Sequence, residues 1–247
     1  MVRGFYMLGS GMLTQTRKLT ATSNNLANVE TAGYKRNVVT ATNFGNIMVH
    51  RLNNQTNAPI GEMSMITLAD KTSVIHSQGN LKETGRTMDF AIEGEGFFAV
   101  QGQNGLVYTR NGSFNLDEQG YLVSSDLGGR VLGANGGPIR VGTDQFQADA
   151  QGNITVDNTA VGKLAVFGFA DYNTLKPAGR NAYTAAGGAQ QIQNPQMKWK
   201  NIEGSNIDAA QEMTDAIAIQ RGLQTCSQAL KMYDQVLSRS VTEIGKI

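Results

Sequence analysis

Asn24-Asn25-Leu26-Ala27-Asn28-Val29-Glu30-Thr31-Ala32-Gly33-Tyr34-Lys35-Arg36 is the stretch on which the reading of this chain turns. It is polar and amide-rich, and it lies where a helical pattern stops and extended chain begins. Asn24, Asn25 and Asn28 are poor helix formers, each costing about 0.5–0.7 kcal/mol relative to Ala. A solitary helix has no reason to carry three of them in five positions. Carboxamides that hydrogen-bond backbone or neighbouring subunits at a crowded helix end supply that reason. Gly33 is placed to take a left-handed C-terminal cap, and Lys35-Arg36 lie just beyond the negative end of the helix dipole. The stretch reads as a junction between a terminal helix and the body of the chain, fixed by packing between subunits.

Upstream, residues 4–29 carry a 3/4 spacing. Phe5, Met12, Leu19 and Leu26 form one row seven apart, and Leu8, Gln15 and Thr22 an offset row. The strip is narrow, as in helix-on-helix packing. Gly9 and Gly11 cost about 1 kcal/mol each relative to Ala, so the helix is marginal alone. The C-terminus is stronger. Ala216, Ile219, Leu223, Cys226, Leu230, Tyr233, Leu237, Ser240 and Ile244 alternate three and four apart. Asp208 is placed as N-cap with Gln211 as capping-box partner, predicting a helix from about Asp208 to Glu243. The two amphipathic helices are expected to pair as a coiled coil that also packs on other copies.

Between them, residues 80–200 read as an antiparallel all-β domain, making the fold class α+β. Short apolar runs at Met88–Ile92, Phe97–Val100, Leu106–Thr109 and Phe114–Leu116 are separated by glycine turns. Phe114-x-x-Asp117-x-x-Gly120-x-Leu122 recurs as Phe146-x-x-Asp149-x-x-Gly152-x-Ile154, predicting one hairpin used twice. Residues 37–79 show little pattern and read as a connector. The organisation is therefore helix and signature turn (1–36), connector (37–79), β-domain (80–200) and C-terminal assembly helix (201–247). Trp199 is expected to pack at the return to that helix.

Composition narrows the function classes. The net charge is +1, giving no electrostatic case for nucleic acid or an anionic membrane. One cysteine, Cys226, excludes an internal disulfide, and two histidines, His50 and His76, offer no metal spacing. Glu93-Gly94-Glu95-Gly96 is followed by a strand rather than a helix, so it is a hairpin turn and not a phosphate loop. No set of acids, histidines and nucleophile stands out, which argues against an enzyme. We expect no catalytic residues, cofactor, metal or small-molecule substrate. No apolar run is long enough to span a bilayer, and the N-terminus lacks the pattern of a cleaved signal.

With these residues read, the chain resembles the bacterial flagellar axial proteins, specifically the basal-body rod proteins and, more distantly, the hook protein. The Asn24–Arg36 stretch looks like the family's N-terminal signature. Gly79-Asn80-Leu81, Met88–Phe98, Tyr108-Thr109-Arg110-Asn111-Gly112-Ser113-Phe114 and Ile202-Glu203-Gly204-Ser205-Asn206 are similar to its other motifs. The resemblance implies a structural subunit that polymerises with itself and with other rod and hook subunits into a periplasm-spanning tube. The tube would carry torque from motor to hook, with the terminal helices as its inner coiled-coil core. It implies delivery by the flagellar export apparatus without a cleaved signal peptide. Phe44 to Met48 fits the family's short export signal. The assembly interface would use Phe5, Leu8, Met12, Leu19, Asn24, Asn25, Leu26, Asn28 and Gly33 against Ile219, Leu223, Leu230, Tyr233 and Leu237. The chain's length favours a proximal-rod over a distal-rod or hook-type subunit. The reading from residues alone keeps a second possibility, a surface-binding β-module on a coiled-coil stalk.

Overall fold

In a computed structural model, the described residues are 2–53, 56–102, 105–179, 181–185 and 187–245. Helix α1 (Val2–Ala27) is followed by β1 (Asn37–Asn53), β2 (Thr56–Val74), β3 (Leu81–Glu83), β4 (Phe90–Glu93), β5 (Phe97–Gly102), β6 (Gly105–Thr109), β7 (Phe114–Leu116), β8 (Leu122–Ser124) and β9 (Arg130–Val131). Then come β10 (Gln147–Ala148), β11 (Asn153–Val156), β12 (Thr159–Lys163), β13 (Val166–Phe169), β14 (Leu175–Pro177), β15 (Ala182–Ala185), β16 (Ala189–Gln191), β17 (Gln196–Trp199), β18 (Asn201–Glu203) and α2 (Ala209–Ile244). The fold is α+β, with a mostly antiparallel centre and a helix at each end of the chain. Two compact units are formed. One holds residues 1–27, 37–73 and 208–247, and the other holds residues 28–36 and 74–207.

The second unit is built around β5. Phe97-Phe98-Ala99-Val100 is fully buried residue by residue. A strand alternates its side chains between two faces, so a continuous apolar run must be covered on both. Phe98 and Val100 enter a cluster with Phe90, Ile92, Phe114, Leu122, Phe146, Ile154, Leu164 and Met197. Phe97 and Ala99 enter a second cluster with Tyr108, Leu132, Phe169, Leu175 and Tyr183. One edge of β5 pairs with β6, and the other is shared by β13 and β9. The sheet runs β14-β15-β6-β5-β9-β8-β7.

The repeated motif is one hairpin used twice. Asp117 Oδ1 accepts from the Gln119 and Tyr121 amides, and Asp149 Oδ1 accepts from those of Gln151 and Asn153. The glycine at each turn is left-handed, with φ +81° at Gly120 and +78° at Gly152. Phe114, Leu122, Phe146 and Ile154 all enter the Phe98 cluster. Trp199 also packs here rather than at the C-terminal helix. Its ring lies 6.5 Å from that of Phe146, and its indole donates to the Thr87 carbonyl at 2.7 Å.

Within residues 37–79, expected as an unpatterned connector, Asn37–Asn53 and Thr56–Val74 instead form the two long strands β1 and β2, paired in a two-stranded sheet. Backbone pairing holds such a ribbon without the strict apolar alternation by which a half-buried strand announces itself. Asn201–Glu203, grouped by sequence with the C-terminal helix, is a strand paired with β3. Asp208 caps α2 by accepting from the Ala210 and Gln211 amides. Gln211 does not complete a capping box: its side-chain Nε2 donates to Asp215 Oδ1 one turn on.

Replacing Phe98 by Ala removes a fully buried ring packed edge-on to Phe114 at 5.2 Å. The expected loss is about 3–5 kcal/mol of unfolding free energy, read from the urea midpoint at unchanged slope.

Candidate functional site

Four motifs far apart in sequence meet inside the second unit. Lys35, from the signature stretch, is buried with its Nζ 2.5 Å from Glu203 Oε1 and donates to the Ser77 carbonyl at 2.7 Å. Arg110, also buried, reaches Glu203 Oε2 at 3.1 Å and the Gly94 carbonyl at 2.7 Å. The Gly79 amide donates to Glu203 Oε1 at 2.9 Å. One carboxylate thus receives two cations and a backbone amide, which is what an ion buried away from water requires. Burial lowers the Lys35 pKa from its ordinary 10.5; Glu203 opposes that shift and Arg110 adds to it.

The backbone follows the same lines. Gly33 has φ +69°, its amide donates to the Glu203 carbonyl at 2.8 Å, and a Cβ there would lie 2.5 Å from the Asn111 nitrogen. Gly33 is therefore left-handed as expected, but it is no helix cap, since α1 ends at Ala27. It is the point of closest approach between the signature turn and the 110–111 segment. The Arg36 amide donates to Asn206 Oδ1, and Asn206 Nδ2 donates to the carbonyls of Ile75 and Ser77. Lys35, placed by sequence beyond a helix dipole, is in fact half of a buried ion pair.

In the first unit the two helices run antiparallel in one register. A Cβ at Gly4 would stand 2.6 Å from the Tyr233 hydroxyl, and one at Gly11 3.9 Å from Cys226 Sγ. A Cβ at Gly222 would stand 2.9 Å from Gln15 Nε2, and Asn25 donates to Glu212 Oε2 at 3.2 Å. Every advance along α1 is matched by an equal retreat along α2. Asn25 is fully buried, and its carboxamide also takes both backbone groups of Asn37, donating to the carbonyl at 2.9 Å and accepting from the amide at 3.0 Å. This is the backbone role expected for the amides of the signature. Asn28 Oδ1 accepts from the Thr31 hydroxyl, and Asn24 is exposed.

The apolar row Phe5, Met12, Leu19 and Leu26 stands one residue, about 100°, round α1 from Gly4, Gly11 and Asn25. Phe5 is 50% exposed, while Leu8, Met12, Leu19 and Leu26 are half-buried. Ile219, Leu223, Leu230 and Leu237 are half-buried on α2, and Tyr233 is exposed. The side chains of Phe44 and Met48, the candidate export signal, lie outside the described residues, although both positions fall in β1. Sequence reading missed Lys35, Arg110 and Glu203 as a cluster and Gly4, Gly11 and Gly222 as seam residues. The available signal was a charged residue beside a glycine in the Gly33–Lys35, Arg110–Gly112 and Glu203–Gly204 stretches. Among the described residues no group of His, Cys, Asp and Glu could hold a metal ion, and no helix is long and apolar enough to cross a membrane.

Replacing Glu203 by Gln leaves Lys35 and Arg110 as uncompensated buried charges. The expected cost is about 3–5 kcal/mol in denaturant unfolding. The double variant Lys35→Met with Arg110→Met in the Glu203→Gln background is expected to recover part of it. Equal stability of Glu203→Gln and wild type would show that the pairing is not required.

Comparison with known proteins places these features. Residues 5–35 match the family model described as flagella basal body rod protein. Residues 91–162 match the flagellar hook protein FlgE/F/G D1 domain, and residues 200–243 match the flagellar basal body rod FlgEFG protein C-terminal model. The chain is 32% identical to the flagellar basal-body rod protein FlgG of Bacillus subtilis, over 98% of each chain. It is 34% identical to FlgG of Agrobacterium fabrum, over 96% of this chain and 97% of that one. It is 30% identical to the flagellar basal-body rod protein FlgF of Caulobacter vibrioides, end to end. The buried Lys35–Glu203–Arg110 cluster and the antiparallel terminal helices are thus features of a chain that belongs to the flagellar basal-body rod protein family.

Proposed function

We propose that this chain is a structural subunit of the flagellar basal-body rod, polymerising with itself and with other rod and hook subunits into a helical tube that transmits torque. In this reading α1 and α2 form a coiled-coil layer shared between copies. Head-to-tail contacts whose rotation does not close give such a tube. The subunit would reach the rod through the flagellar export apparatus without cleavage, with Phe44 to Met48 as candidate signal.

One observation carries the reading beyond family membership. The helices come close at small and polar residues, while several of their large apolar side chains stay in water. Phe5, Tyr6, Met7 and Leu13 on α1, and Met213, Ile217, Met232, Val236 and Val241 on α2, are all more than one-third exposed. A seam made of Gly4, Gly11, Gly222 and Asn25 brings the helices close without using these residues. Each would contribute roughly 1.5–3 kcal/mol if fully buried by a neighbour. Exposed large apolar side chains on both helices support a role in association.

The exposed positions make a clean test. Met232→Asp and Val236→Asp alter side chains already in water, so the isolated chain should keep its stability within about 0.5 kcal/mol. Their expected effect is loss of incorporation into basal bodies and loss of motility. Motile cells with intact rods containing either variant would overturn the proposed helix contacts. Electron microscopy of concentrated wild-type protein should show ordered tubes or filaments, and the variants monodisperse particles.

A further inference from the structure

His76 sits in the strap formed by residues 75–79, which is bound to the signature turn. The Ile75 amide donates to the Arg36 carbonyl, Lys35 Nζ donates to the Ser77 carbonyl, and the Gly79 amide donates to Glu203. Asn206 and Gln78 tie the same strap to residues 203–206 and to Ile92 and Gly94. The strap is therefore the middle of the network that holds Lys35 in place.

The imidazole is boxed by rings. Phe97 lies 5.7 Å away, Tyr172 5.5 Å and Tyr183 5.2 Å, centre to centre. Its Nδ1 is buried and has no hydrogen-bond partner. The ring lines a cavity of about 330 Å³ together with Val74, Ser77, Glu95, Arg110 and Tyr172. The charged neighbours are unfavourable to a further cation. Lys35 and Arg110 are both close enough to repel one. Their counter-ion, Glu203, is already committed to both of them and to the Gly79 amide. Glu95 is exposed and accepts from the Tyr172 hydroxyl at 3.1 Å.

We propose that His76 is an acid-sensitive pin: a proton on its imidazole expels the ring from the aromatic box and frees the 75–79 strap from the signature turn. In the seated state the ring is neutral and packs as an aromatic, which the box favours. Once protonated it would be a third cation near a buried carboxylate already shared by two, with its Nδ1 unpartnered in the seated position. Burial first, then Lys35 and Arg110, pushes the seated His76 pKa from 6.5 down to about 4. Burial raises the Tyr172 and Tyr183 hydroxyls, so neither titrates in that range. The sign follows from linkage. The released strap takes up a proton near pH 6.5, whereas the seated one does so only near pH 4. Seating is therefore fully favoured above about 6.5 and weakens as pH falls towards 4.

Amide hydrogen exchange of the full chain tests this, with the Ile75 and Gly79 amides as reporters and rates corrected for intrinsic pH dependence. The ring is partly exposed, so the expected rise in their opening constant from pH 7 to pH 5 is roughly tenfold rather than the full linkage value. Amides of β5 serve as the control for global unfolding and should not change in parallel. His76→Phe keeps an aromatic ring and removes the proton, and it should flatten the pH response. A flat response in the wild type, or an equal rise in His76→Phe, overturns the proposal. The wild-type imidazole titration by NMR, with His50→Gln used for assignment, gives a reading that needs no His76 variant. A His76 midpoint near 6.5 in the folded chain would overturn it equally.

Discussion

The carboxylate of Glu203 is the constraint on which the second unit depends. Withdrawn from water, it is tolerable only because Lys35, Arg110 and the Gly79 amide all reach it. Its partners come from segments 168 and 93 residues away. Such a cluster adds little net stability over an apolar one of equal volume. Its physical consequence is intolerance of misplacement, because any arrangement that separates the three leaves an unpaired buried charge. Gly33 and Gly79 serve the same end by allowing backbone to approach where a side chain would collide. Lys35, Gly79, Arg110 and Glu203 all come from stretches on which the resemblance to the family was read.

Around it the β-unit is organised by burial. A strand covered on both faces has to be an unbroken apolar run, and β5 supplies one between two aromatic-rich clusters. The repeated Asp–Gly hairpin contributes twice to the same cluster. Turn chemistry and core packing agree at both copies, a consistency expected of a sequence that specifies one fold.

The helix pair follows a different economy. Its two helices come close at glycines and share a buried Asn–Glu contact. Close approach through small residues and a polar register point fixes alignment at some cost in stability. The apolar rows are left exposed or half-buried, and the proposed assembly rests on them.

Much of this was legible in the chain itself. Periodicity located both helices and the Asp208 cap, glycine spacing located the β-turns, and the Phe114 and Phe146 motifs announced the repeated hairpin. Those are local properties, settled by residues within a few positions of one another. The connector was misread because a two-stranded ribbon needs no apolar alternation. Gly33 was misread because its left-handed φ is required by a contact with Asn111, not by a helix end. The sequence by itself determined the two terminal helices, the turn-punctuated β-unit between them and the family. Only tertiary structure decided that Lys35 is buried, that Arg110 and Glu203 complete its cluster, and that Gly4 and Gly11 lie against Tyr233 and Cys226 of the second helix. The physical reason is that charge pairing and helix rotation depend on distances between segments far apart in the chain, on which local pattern is silent.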